Sequence, residues 1–160
     1  MYAPATAATG ATMALVVDLK EDVVASQLNP YLNFAGNARE AMEFYHQVFG
    51  GDLTLTTFRE FGTENPAIAD QIMHGMLRTA SGYVLMASDM PPGLELRRGN
   101  GNTVSLSGDD ADELRGYWEK LSQGGIVSVP LEKQMWGDEF GQCEDRFGTP
   151  WMVNIAQPQA

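Results

Sequence analysis

The sequence predicts an α+β domain built from two tandem βαβββ modules. Two glycine pairs, Gly50-Gly51 and Gly124-Gly125, stand 74 residues apart. Each closes a segment of helical periodicity, as glycine just past a helix does. Each is followed by three short strand-like runs separated by turn formers. The order of elements repeats although few residues do, which marks a duplicated supersecondary unit.

The first module opens at Leu28–Phe34, a short strand with Pro30 near its start, where a missing amide donor is tolerated. Gly36-Asn37 breaks it, and Asn37 is placed to cap a helix with Glu40 as capping-box partner. That helix carries Ala41, Phe44, Tyr45 and Val48 on one stripe, with Arg39, Glu43 and Gln47 away from it. Asp52–Phe61 reads as a strand and 62–70 as a loop. Ile72–Thr79 and Tyr83–Asp89 are strands joined by the Ala80-Ser81-Gly82 turn, and Pro91-Pro92-Gly93 starts a linker through Gly101.

In the second module Asn102–Ser107 is a strand, and Asp109 or Asp110 caps a helix bearing Leu114, Tyr117, Trp118 and Leu121. Ile126–Glu132, Glu139–Asp145 and Pro150–Ala156 are the remaining strands. The expected organisation is one domain over 28–157, with modules of about 28–93 and 101–157. Residues 1–27 are read as an extension, in which Met13–Leu19 could add a strand or helical turn against a partner.

Composition narrows the function classes. With 21 acidic against 10 basic residues the net charge is −11, which disfavours nucleic acid and anionic membrane surfaces as partners. No run approaches the roughly 20 apolar residues of a membrane span. The Ala/Thr-rich start lacks Lys or Arg ahead of its apolar part, against a secretory signal. A cytoplasmic location is expected. The single cysteine, Cys143, excludes an intramolecular disulfide and is read as a buried, inert thiol. Gly99–Asn102 opens a strand, not a helix, so it is no phosphate loop, and no cofactor is expected.

Several segments are familiar in combination. Phe44-Tyr45 ahead of Gly50-Gly51 resembles the first helix of the vicinal oxygen chelate superfamily, which includes glyoxalases, bleomycin-resistance proteins and dioxygenases. The Trp136-Gly137-Asp138, Phe140-Gly141 and Asp145-Arg146-Phe147-Gly148 runs, with Trp151, resemble its PhnB-like branch, as do 72–77 and 85–89. The resemblance implies curved mixed sheets enclosing a cleft, and a homodimer. In metal-dependent relatives His, Glu or Gln residues from four strands hold one divalent cation. Here those positions fall at or beside Pro30, Met86, Thr103 and Met152; a slip of one gives Asn29, Leu85, Asn102 or Trp151. None is a usual ligand for such an ion, so no metal is expected there.

Strand alternation nominates what lines the cleft instead. With Met73, Leu77, Tyr83, Leu85, Val104, Leu106, Trp151, Val153 and Ile155 turned to the helices, the other face carries His74, Met76, Met86, Ser88, Thr103, Ser105, Met152 and Asn154. Thioethers among hydroxyls and amides make an adaptable, mixed-polarity surface. His74 could orient a ligand or exchange protons near neutral pH. It could equally be satisfied by a strand neighbour, and that reading is preferred. His46 is expected to be exposed. Trp136 reads as an aromatic lid or as part of a structural turn with Asp138, and Asp89 as a turn former rather than a catalytic carboxylate. Glu144 and Asp145 alternate, so they cannot work as a carboxylate pair.

The reading is a metal-independent, small-molecule-binding homodimer. The alternative is a superfamily lyase, isomerase or dioxygenase using a displaced metal or acid–base chemistry at His74. A third possibility is a structural or regulatory dimer with a vestigial cleft.

Overall fold

The computed structural model describes residues 25–158, so the expected extension lies almost wholly outside the described residues. The elements follow the order β1 (Tyr31–Phe34), α1 (Ala38–Phe49), β2 (Asp52–Thr57), β3 (Ile72–Arg78), β4 (Val84–Asp89), β5 (Val104–Gly108), α2 (Ala111–Ser122), β6 (Ile126–Lys133), β7 (Glu139–Glu144) and β8 (Pro150–Ile155). They form two open, four-stranded mixed sheets of identical topology, β1-β4-β3-β2 and β5-β8-β7-β6. In each, the first strand pairs parallel with the last and the other pairings are antiparallel. No helix among the described residues is long and apolar enough to cross a membrane.

β1 and β2 are shorter than the sequence suggests, each for a local reason. β1 begins only at Tyr31, because Pro30 has no N–H to give and contributes its carbonyl alone, to the Met86 amide at 3.1 Å. β2 stops at Thr57, where the Glu60 carboxylate accepts from the Thr57 backbone N–H (2.6 Å) and hydroxyl (2.8 Å) and turns the chain. Those bonds hold the Glu60 carboxyl below its usual range.

The two helices are capped differently. Asp110 caps α2 locally, accepting from the Glu113 N–H at 3.1 Å. Asn37 occupies the N-cap of α1 but makes no side-chain cap bond, so the expected Asn37–Glu40 capping box does not form. Asp89, fifty residues on at the end of β4, takes that role. Its Oδ1 accepts from Gly36 N–H (2.8 Å) and Ala38 N–H (3.0 Å), and its Oδ2 accepts from Ile72 N–H (2.8 Å). It is 2% exposed, so three donors replace the water it has lost.

The core lies between the sheets and their helices, and the two modules meet there. Trp151, Tyr45, Phe34 and Met42 are fully buried, beside Phe44, Leu77, Leu106, Leu114, Leu121, Val153 and Ile155. Tyr45 of α1 reaches into the second module, its hydroxyl donating to Asp145 Oδ2 (2.7 Å) and lying 2.8 Å from Thr149 Oγ1. The same Asp145 accepts from Trp151 Nε1 (2.8 Å) and from the Phe147 (2.8 Å) and Thr149 (3.1 Å) amides. Burial, and then the Asp145 charge, raise the Tyr45 phenol far above its ordinary pKa, so it stays a donor. Asp145 is thus a junction organiser, while Glu144 points outward.

Candidate ligand-binding face

Because the helices cover one face of each sheet, the other face is what the chain leaves for chemistry. On the first sheet the register lines up Thr54, Met76, Met86 and Tyr31 in one row. The neighbouring row holds Thr56 with His74 and Ser88 with Asn33. Met76, Met86, Ser88 and His74 are half-buried there. The apolar row and the hydrogen-bonding row therefore run side by side.

His74 has a partner that the sequence reading did not name. The Tyr31 hydroxyl lies 3.2 Å from His74 Nδ1, and the rings stack at 5.8 Å between centroids with 30° between planes. The contact engages Nδ1 and leaves Nε2 as the nitrogen open to a ligand. Tyr31 was missed because Pro30 was taken for the first-strand position; the shortened β1 puts Tyr31 opposite Met86 instead. The available signal was an aromatic at alternating register with Asn33. His46 is exposed, with Nε2 3.0 Å from the Gly51 carbonyl.

The second sheet is arranged otherwise. Ser105, Met152 and Gln142 share one row, and Ser107, Asn154 and Phe140 the next. Thr103 precedes β5 and is exposed, so the residue opposite Met152 is Ser105. Asn154 is engaged: its Nδ2 donates to Asp138 Oδ2 at 2.9 Å, and Asp138 Oδ1 accepts from Gln157 N–H at 3.2 Å. Asp138 therefore ties a turn to the end of β8. Trp136 is 63% exposed and meets Phe140 edge-on at 6.1 Å, standing over this sheet and not over His74's neighbours.

A cavity of about 540 Å³ lies at the module boundary, where β1 ends short and β5 has a free edge among the described residues. Phe49, Leu77, Leu85, Leu106 and Trp151 wall it, and Ser105 and Ser107 lie on its rim. Of the nine residues nominated for ligand binding only Ser105 lines it. Val84, at the start of β4, lines it too, but Tyr31, His74, Met76 and Met86 do not.

The donor chemistry does not fit the divalent ion of metal-dependent relatives. The paired positions hold a phenol with a thioether (Tyr31, Met86) and a hydroxyl with a thioether (Ser105, Met152). Among the described residues no three His, Cys, Asp or Glu side chains converge to hold one elsewhere. Cys143 is buried, and burial followed by the Asp145 charge pushes its thiol up to about 11, the reverse of an activated nucleophile.

Comparison with known proteins decides the family. The model of the Glyoxalase/Bleomycin resistance protein/Dioxygenase superfamily matches residues 27–153. The chain belongs to that superfamily. The crystal structure of protein PA1353 from Pseudomonas aeruginosa is 40% identical, with a TM-score of 0.73 over 84% of this chain and all of that one. Protein YjdN of Escherichia coli K12 is 29% identical over 146 residues, 82% of this chain and 97% of its own length. A PhnB protein from Bacillus cereus shares the fold at 21% identity, with a TM-score of 0.66 over 82% of this chain and all of that one.

Proposed function

We propose that this chain is a metal-independent, small-molecule-binding member of the superfamily's PhnB-like branch, working as a homodimer. The observation that carries the reading is the open face of the first sheet. Tyr31 and His74 stand there beside Met76, Met86 and Ser88, in a surface that the core does not use. A stacked phenol–imidazole pair offers a flat contact and a free ring nitrogen, and the two thioethers adapt to the body of a ligand. The homodimer is supported by the edge positions of β1 and β5, which have no further strand beside them among the described residues, since an exposed strand edge is a template for pairing with another chain.

A thermal-shift screen against aromatic and aliphatic acids, amides and natural products tests binding. A ligand at 100 times its dissociation constant adds about 2.7 kcal/mol, a shift of several degrees. The expected hits lose that shift in Met86→Glu, which retains the parent melting behaviour without ligand because Met86 faces away from the core. Hits unchanged by that substitution contradict the site. Metal analysis of protein purified without chelator, and light scattering for mass, check the other two parts. A stoichiometric divalent ion, or a monomer at micromolar concentration, contradicts them.

A further inference from the structure

The open face of the first sheet is not uniform along β3, and its far end points to the chemical class of the ligand. His74, Met76 and Arg78 alternate onto this face. Arg78 is the one Lys or Arg at the register positions of the face, and the chain is otherwise strongly acidic. Asp52 is its cross-strand neighbour, yet among the described residues Arg78 makes no ion pair with it within 4 Å. Its Nε–H is instead directed at Met76 Sδ, 3.1 Å away. The side chain therefore lies back along the sheet toward the thioether row. A thioether is a weak acceptor, so the guanidinium keeps most of its donors for a stronger one.

We infer that the ligand of this face is an apolar-bodied acid, its carboxylate, phosphate or phosphonate held by Arg78 and its body laid across Met76 and Met86. The inference rests on the binding reading above and adds the charge. A guanidinium offers the planar pair of N–H donors that a carboxylate or phosphorus oxyanion accepts bidentately. The apolar body has a surface beside it: Val84, the register partner of Arg78, extends the row of Met76 and Met86 with another apolar side chain. At the other end of the row, about two strand residues or roughly 7 Å along β3 per pair of side chains, Tyr31 and His74 supply hydrogen bonds for a polar group distal to the acid.

Matched probes test this by calorimetric titration of the full chain: 4-phenylbutyrate, phenylphosphonate and the neutral 4-phenylbutyramide. The acids are expected to bind about fivefold more tightly than the amide, a modest factor because Arg78 is exposed to solvent. Arg78→Gln is expected to abolish that preference, while Arg78→Lys retains part of it. The preference is also expected to shrink as salt rises from 50 to 500 mM. Equal binding of acids and amide by the parent protein, or a preference that survives Arg78→Gln, overturns the acid assignment and leaves the binding face standing. Failure of all three probes and of the wider screen overturns both.

Discussion

The two modules share a scaffold and differ in what they do with its outer face. Both close their helix with a glycine pair whose second member sits on a backbone carbonyl. A Cβ at Gly51 would lie 2.2 Å from the Arg78 oxygen, and one at Gly125 2.1 Å from that of Glu144. Both also place a glycine in the strand after the hairpin connection, Gly75 against Leu55 and Gly141 against Trp118. Gly51 and Gly125 let the chain leaving each helix pass close over a neighbouring strand, and Gly75 and Gly141 leave room for a side chain packed on the sheet. The outer faces diverge. In the second module Asn154 is committed to Asp138. In the first, among the described residues His74 pairs with Tyr31 and Arg78 leans on Met76. The duplicated unit thus carries different side chains and different ties on its two outer faces.

The shared part should break most severely. Gly51→Ala and Gly125→Ala each force a methyl into a carbonyl, and Gly51 adds a φ of +92°. Each is expected to cost at least about 3 kcal/mol, read by urea denaturation. A cost below 1 kcal/mol at either would mean the close approach is not shared.

The caps should separate the modules next. Removing Asp89 strips three backbone donors of a buried acceptor, so Asp89→Ala is expected to lose about 3 kcal/mol. Asp110→Ala removes one exposed cap bond and should lose about 1 kcal/mol. Equal losses would show that the remote cap does no more than a local one.

The smallest effect lies in the second module's core. With its thiol pushed up to about 11, Cys143 should react with iodoacetamide at pH 8 slower by roughly two orders of magnitude than a free thiol, and at the ordinary rate after unfolding. The sign follows from the raised folded value. The neutral thiol favours the folded state at all pH below about 8.5, and that contribution fades as pH climbs toward 11.

The repeat was legible because glycine pairs and helical stripes are local signals. Every element fell where periodicity placed it, with ends displaced by a few residues. The caps were not legible for α1, since Asp89 is distant in sequence and Asn37 looks locally sufficient. The outer face of the first sheet followed from alternation, so His74, Met76, Met86 and Ser88 share a surface in the structure. The same alternation places Arg78 on that face, while Tyr31 was passed over. The end of β1 depends on how far its pairing with β4 extends, which no local pattern encodes. What alternation could not show is that the Arg78 side chain lies back onto Met76, a contact between side chains.

One measurement addresses the open face most directly. Methyl spectra of the protein labelled at its nine methionines, titrated with a hit from the thermal screen, report every methionine at once. The expected result is that the Met76 and Met86 resonances shift together with saturation, while buried Met42 stays in place. Shifts confined to other methionines, with Met76 and Met86 unmoved at saturating ligand, would place binding elsewhere and contradict the proposed binding face.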